Sequence, residues 1–162
     1  MPDVKRQGGK IVVITFVAAL LMAIMPLPEW SRVFRPEWVS LVIIYWCIAL
    51  PEKVNIGTAW IAGLCMDVLT GTLLGQHALA FSVIAYLSVK LHKQIRIYPL
   101  WQQALSVFIL IAFGQLLILW IQGLTGESSA SWGYWASSVT SALIWPVVFM
   151  LLRSVRRSFR VA

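Results

Sequence analysis

Hydrophobic residues in this chain form six continuous runs, separated by short segments rich in charge, proline or glycine. The helices that these runs predict span approximately residues 11–26, 36–51, 56–71, 77–92, 99–123 and 135–153. Within each run the apolar positions are contiguous, without the alternation of apolar and polar residues that a membrane β-barrel needs. The pattern predicts an all-α integral membrane protein, with six transmembrane helices in a single domain over residues 1–162.

The second, third and fourth runs are short for membrane spans. A hydrocarbon core of about 30 Å needs about 20 helical residues. We therefore expect these helices to thin the bilayer, to borrow flanking residues or to be shielded by their neighbours. Pro36 is expected in the first turn of the second helix, where the missing N–H of proline is tolerated.

The composition agrees with a membrane protein, because 60% of the residues are hydrophobic and only 12% are charged. Soluble domains carry roughly 45–50% apolar and about 25% charged residues. The first run follows basic residues, as a secretory signal does, but it ends at Ile24, Met25 and Pro26, which make a poor cleavage site. We expect that run to be a retained helix.

The distribution of Lys and Arg predicts the orientation of the chain. With six spans and a cytoplasmic N-terminus, 11 of the 13 basic residues fall on the cytoplasmic side. These are Lys5, Arg6, Lys10, Lys53, Lys90, Lys93, Arg96, Arg153, Arg156, Arg157 and Arg160. Only Arg32 and Arg35 fall outside. The positive-inside rule therefore predicts that both termini are cytoplasmic, as in a polytopic inner-membrane protein.

One acidic residue, Asp67, lies within an apolar run, in a stretch where Gly63, Asp67, Gly71 and Gly75 recur every four residues. If the helix persisted, these residues would share one face and allow a partner helix or a ligand to approach closely. The carboxyl either forms a ligand or proton site, or caps the following turn. A capping role predicts that Asp67→Asn keeps nearly all function. His77 could titrate beside Asp67 if the two meet.

Three further features could serve contacts with partners. Ala19 and Ala23 form a second pair of small residues that allows another helix to approach. Pro146 interrupts the sixth run and predicts a kink. The short basic tail over residues 153–162 predicts either binding to phospholipid on the inner leaflet or a docking site for a cytoplasmic partner.

Several classes of function find no support in the sequence. The runs contain no nucleophile motif, no paired carboxylates and no phosphate-binding glycine loop, so we expect no enzyme and no cofactor. No His and carboxylate cluster predicts a metal site. The basic residues form short clusters between apolar runs, which indicates membrane topology and not nucleic-acid binding. Cys47 and Cys65 lie inside apolar runs, and we expect no disulfide.

The order and spacing of several motifs resemble the MreD family of rod shape-determining proteins across nearly the whole chain. The motifs are Phe34-Arg35-Pro36-Glu37-Trp38, residues 45–51, Asn55-Ile56-Gly57, residues 67–75, residues 101–105 and Ile144-Trp145-Pro146. Among them, Arg35, Pro36, Asn55, Gly57, Trp145 and Pro146 are the residues that carry the resemblance most clearly. The length and the predicted orientation also fit the proteobacterial branch of this family.

The resemblance implies a non-enzymatic component of the rod complex, or elongasome, which regulates peptidoglycan synthesis and cell shape. Its implied partners are MreC, most directly, and MreB, RodA and PBP2 as members of the same complex. The family is also similar in fold to the S-components of energy-coupling-factor transporters. The alternative function is therefore a small-ligand or lipid-binding membrane module of S-component type, since fold alone does not assign function.

Overall fold

A computed structural model describes residues 2–26, 28–29, 34–71, 73–126 and 135–158, with side chains described from Gly9 onward. This part of the chain contains seven α-helices. They are α1 (Pro2–Ile24), α2 (Trp38–Ala49), α3 (Ile56–Thr70), α4 (Gln76–Lys90), α5 (His92–Ile97), α6 (Leu100–Thr125) and α7 (Ala136–Ser158). The fold is therefore all-α, as the continuous apolar runs predict.

The helix boundaries differ from the sequence prediction in several places. Helix α5 was not predicted, because four of its six residues are polar or charged and it forms no apolar run of its own. Pro36 does not lie in the first turn of α2, which begins at Trp38. Instead, the Pro36 carbonyl accepts a hydrogen bond from the Trp38 N–H at 3.0 Å. Helix α7 extends to Ser158, so the described part of the basic tail is helical.

Helix α2 lies at the centre of the bundle. All of its residues from Val39 to Ala49 are buried, and it packs against α1, α4, α5 and α7. A helix rises 1.5 Å per residue, so α2 is only about 18 Å long. The indole N–H of Trp46 donates to the Thr15 hydroxyl of α1 at 2.9 Å. Because neighbouring helices surround α2, a length well below the hydrocarbon thickness does not expose its polar ends to lipid.

The outer faces of the bundle are apolar. In α7, for example, Leu143, Val147 and Leu151 are 75%, 66% and 63% exposed. In the described part of the chain, two helices, Leu100–Thr125 and Ala136–Ser158, are long and apolar enough to cross a membrane. Shorter apolar helices are Gly9–Ile24, Trp38–Ala49 and Ile56–Thr70. Exposed apolar faces of this extent are suited to lipid and support a helical membrane protein, while the count of six spans stays a prediction.

Helices α3 and α4 form the closest helix pair, and Gly63 lies where they touch. A Cβ atom added to Gly63 would lie 2.3 Å from the Cα of Ala78 and 2.5 Å from its backbone nitrogen. Backbone atoms cannot move aside as the end of a side chain can. Glycine at position 63 is therefore what permits the two backbones to approach.

A series of Gly→Ala variants tests this packing. We expect Gly63→Ala to lower the melting temperature most, because over-packing against a backbone typically costs about 1–3 kcal/mol. Gly114→Ala should have a smaller effect, since its Cβ would meet only the flexible end of Ile84 at 2.6 Å. Gly123→Ala is the matched control, because its Cβ would have no neighbour within 4 Å. Thermal unfolding in detergent measures all three, and a wild-type melting temperature for Gly63→Ala would contradict the α3–α4 packing.

Candidate functional site

Asp67, near the end of α3, caps the beginning of α4. Its side chain is buried, with 1% of the residue exposed. One carboxylate oxygen, Oδ2, accepts from the Gly75 N–H at 2.9 Å, and the other, Oδ1, accepts from the His77 N–H at 2.9 Å. The first N–H groups of a helix have no partner within the helix, and its N-terminus attracts negative charge. This geometry matches the capping role, the structural alternative for Asp67.

Two glycines make the turn that this cap requires. Gly71 ends α3 with φ of 69°, and its N–H donates to the backbone carbonyl of Asp67. Gly75 precedes α4 with φ of 101°. These left-handed conformations strain any residue with a Cβ atom. Helix α3 therefore ends at Thr70, and Gly71 and Gly75 do not continue the helical face on which Gly63 lies.

His77 and Asp67 meet, which the sequence left open. The Nδ1 atom of His77 lies 2.7 Å from Oδ1 of Asp67. The ring of His77 also packs edge-on against Phe81, with 5.7 Å between ring centroids. The pair can hold a proton between its two groups. Among the described residues, however, no group of three or more His, Cys, Asp and Glu side chains could hold a metal ion.

Further polar residues extend this pair across the bundle, and we call Glu37, Asp67, His77, Gln115 and Ser138 the polar cluster. The Glu37 side chain lies close to the side chains of Gln115 and His77. The Ser138 hydroxyl donates to Oε1 of Gln115. The cluster thereby connects the start of α2 with α3, α4, α6 and α7. The sequence analysis did not name Glu37, Gln115 or Ser138 as site residues. Gln115 lies within an apolar run, and a polar residue in such a position indicates a candidate functional site.

Arg35 lies next to this cluster and binds the end of α1. Its guanidinium donates to the backbone carbonyls of Ala23 and Met25. The last carbonyls of a helix have no partner within it, and a cation stabilises the negative end of the helix dipole. Arg35 therefore caps the end of α1, as Asp67 caps the beginning of α4.

Comparisons with known proteins identify the family. The family model for rod shape-determining protein MreD matches residues 5–155. Rod shape-determining protein MreD of Haemophilus influenzae is 34% identical over 146 residues, which cover 90% of this chain and 90% of that protein. The chain belongs to the MreD family. Membership supports a role in determining rod shape. No solved structure matches the chain, so the similarity to S-components stays a prediction.

The remaining residues that carried the resemblance to the MreD family serve helix ends and helix packing. Asn55 begins α3, and its side chain accepts from the Gly57 N–H at 3.1 Å. Trp145 is fully buried and donates its indole N–H to Oε1 of Gln103 at 3.3 Å. Pro146 lies inside α7. None of these residues forms part of the polar cluster, to which the family motifs contribute Glu37 and Asp67 instead.

The small residues that we expected to contact a partner helix pack inside this MreD-family chain. Gly63 contacts the backbone of Ala78, as described above. Ala19 and Ala23 are 3% and 7% exposed and belong to the hydrophobic core. Bulky substitutions at these three positions would therefore disturb the fold itself, and loss of a partner would not show that the partner binds there.

Substitutions of Asp67 test its capping role. We expect Asp67→Leu to lower the melting temperature strongly, because each buried N–H that loses its acceptor costs roughly 1–3 kcal/mol. The melting temperature of Asp67→Asn should lie between those of Asp67→Leu and the wild type. An amide supplies one acceptor oxygen, whereas the carboxylate of Asp67 uses two. We therefore expect Asp67→Asn to keep less function than the capping role alone predicts from the sequence. Glu52→Gln, at an exposed carboxyl before α3, is the control, and unchanged stability of Asp67→Leu would contradict the cap.

Proposed function

We propose that this chain is a non-enzymatic component of the bacterial inner membrane that binds MreC within the rod complex. Through that complex, whose other members include MreB, RodA and PBP2, it helps to regulate peptidoglycan synthesis and cell shape. The observation that carries the proposal is the family match over residues 5–155. The name of the Haemophilus influenzae relative supports the same role in cell shape.

The use of the charged side chains supports a non-enzymatic role. Asp67 and Arg35 bind the backbone at helix ends, and Arg96 does the same at the end of α2. The guanidinium of Arg96 donates to the carbonyls of Ile48 and Ala49 at 2.8 and 3.0 Å. Groups that hold helix termini are fixed by the fold, whereas an acid–base catalyst must reach a substrate. These contacts suit a rigid membrane scaffold.

The basic residues also support the proposed orientation. Arg96 of α5 and Arg153 and Arg156 of α7 line one cavity, so they lie at one end of the bundle. A neighbouring cavity is lined by Lys53, from the α2–α3 loop, and again by Arg96. Segments far apart in the chain thus bring their positive charges together. The positive-inside rule assigns this end to the cytoplasm.

Reporter fusions test the orientation. We expect a reporter fused after Ala162 to be active only in the cytoplasm and one inserted after Gly126 to be active only outside it. The reason is the separation of basic residues to one end of the bundle. Alkaline phosphatase and a fluorescent protein, fused in parallel at both positions, give opposite readouts. The same compartment at both positions would contradict both cytoplasmic termini.

A groove between α6 and α7 is the surface that we propose for the MreC span. Its volume is about 470 Å³, and its lining is almost wholly apolar. Ala104 and Ala142 lie in it, and small residues allow a helix to approach closely. Pro146, also in the lining, supplies no N–H to the carbonyl of Ala142 four residues earlier. A hydroxyl or amide on the partner helix can donate to that carbonyl.

Filling the groove tests the binding of MreC. We expect Ala104→Leu and Ala142→Leu to reduce recovery of co-expressed MreC several-fold while the chain still accumulates in the membrane, because bulk blocks approach without lowering hydrophobicity. Val147→Leu is the matched control, since Val147 is an exposed residue of α7 outside the groove lining. Rescue of rod shape in depleted cells is measured in parallel. Wild-type recovery of MreC with both groove variants would remove the groove from the proposal.

The alternative, a small-ligand module of S-component type, predicts a ligand beside Asp67. The three cavities described above are not lined by Asp67. The purified complex distinguishes the two functions, because a stoichiometric single-span partner supports the scaffold and a retained small molecule supports the module. An Asp67→Asn protein that folds and binds MreC but does not restore rod shape would also favour a charge-dependent function.

A further inference from the structure

The basic end of the bundle contains a cavity that neither the capping contacts nor the MreC groove explains. It has a volume of about 150 Å³ and lies where α2, α5, α6 and α7 meet. Three arginines, Arg96, Arg153 and Arg156, are among its lining residues, together with Tyr45 and Gln103. No acidic residue is among its lining residues. We call it the arginine pocket.

The floor of the arginine pocket is buried and held in place by hydrogen bonds. Gln103 is 4% exposed, and its amide nitrogen donates to the carbonyls of Ile95 and Tyr98 at 3.1 and 3.3 Å. Its oxygen accepts from the indole of the fully buried Trp145. These contacts join α5, α6 and α7 beneath the pocket. The polar floor is therefore a built part of the fold and not a chance gap between side chains.

The arginines are also positioned by the fold. Arg96 spans the end of α2 through two hydrogen bonds to backbone carbonyls. Arg156 hydrogen-bonds the Tyr45 hydroxyl, and Tyr45 is 3% exposed. A guanidinium carries five N–H donors, so both arginines can hold these partners and still donate to a ligand. Three like charges around one small cavity favour the entry of an anion.

The charges of Lys53 and Glu52 beside the pocket balance, so they do not oppose the entry of an anion. The neighbouring cavity, which shares Arg96, carries Lys53 and His92, with Glu52 as its one acidic lining residue. On the outer face of α7, immediately before Arg153, Met150 and Leu151 are 59% and 63% exposed. An apolar, lipid-facing surface thus leads directly to the positively charged rim.

We propose that the arginine pocket binds the phosphate group of an anionic phospholipid, whose acyl chains lie along the outer face of α7. Arginine forms bidentate hydrogen bonds with phosphate, and basic pockets between transmembrane helices bind lipid headgroups. The cavity volume fits one phosphate group and not a whole small-molecule ligand. This site is independent of MreC and is narrower than a general attraction of the basic tail to the inner leaflet.

Lipid binding to the full-length purified chain tests the proposal. The probe is phosphatidylglycerol, titrated into the delipidated protein in neutral detergent and counted by native mass spectrometry, with phosphatidylethanolamine as the comparison lipid. We expect the wild type to retain phosphatidylglycerol preferentially. The double variant Arg153→Gln/Arg156→Gln should bind it roughly tenfold more weakly or worse, given the contribution of each basic residue near an anionic headgroup.

Arg157→Gln is the matched control, because Arg157 is an exposed arginine on the same helix that does not line the pocket. It should change the affinity less than about twofold. Equal losses in the control and the double variant would overturn the pocket, since they would indicate general surface attraction. Arg96 is left unchanged because it also holds the end of α2.

A second double variant and a competing ligand complete the test. If the Gln double variant does not fold, Arg153→Lys/Arg156→Lys keeps the charge but lacks the planar fork of arginine, so it should bind phosphatidylglycerol several-fold more weakly. Wild-type affinity in that variant would overturn the proposal. Inorganic phosphate is added as a competitor. Displacement of the lipid by millimolar phosphate would overturn the assignment to a lipid and indicate a soluble phosphate ligand.

Discussion

The cap that Asp67 places on α4 is the interaction on which the rest of the bundle depends. At a helix end inside a membrane protein, water does not bind the free backbone N–H and C=O groups. Another part of the chain must therefore form hydrogen bonds with them. Asp67 accepts from the Gly75 and His77 N–H groups through its carboxylate, and from Gly71 through its backbone carbonyl. One residue thus fixes both sides of the α3–α4 turn and brings the two helices into the register that Gly63 requires.

The same constraint explains where the chain keeps its arginines. Arg35 binds the last carbonyls of α1, and Arg96 binds those of α2, each at the end of a helix where the dipole is negative. For α2 this matters most, because the helix is only 12 residues long and buried on all sides. A short central helix is tolerated when a charged group from a neighbouring helix satisfies its last carbonyls, as Arg96 does here.

The sequence predicts the helices of this fold better than the contacts between them. Continuous apolar runs give the positions of the six longer helices, because helices that contact lipid or the protein core need apolar side chains. They miss α5, whose six residues are too few and too polar for such a run. The regular spacing of Gly63, Gly71 and Gly75 would give one face only if the helix persisted, and nothing in the spacing says that Gly71 is left-handed. Caps from distant residues, such as Arg96 on Ala49, have no local signal.

The packing of α2 bears on the choice between scaffold and ligand carrier. An S-component-like carrier needs an interior space, but the centre of this bundle is filled by α2, in which Leu41, Ile43 and Trp46 are fully buried. The cavities described here lie at one end of the bundle and along its outer face. With α2 at the centre of the described helices and Arg96 fixing its C-terminal end, the outer surfaces are the places that we propose for recognition. Those surfaces suit partner helices and lipids, and this favours a scaffold.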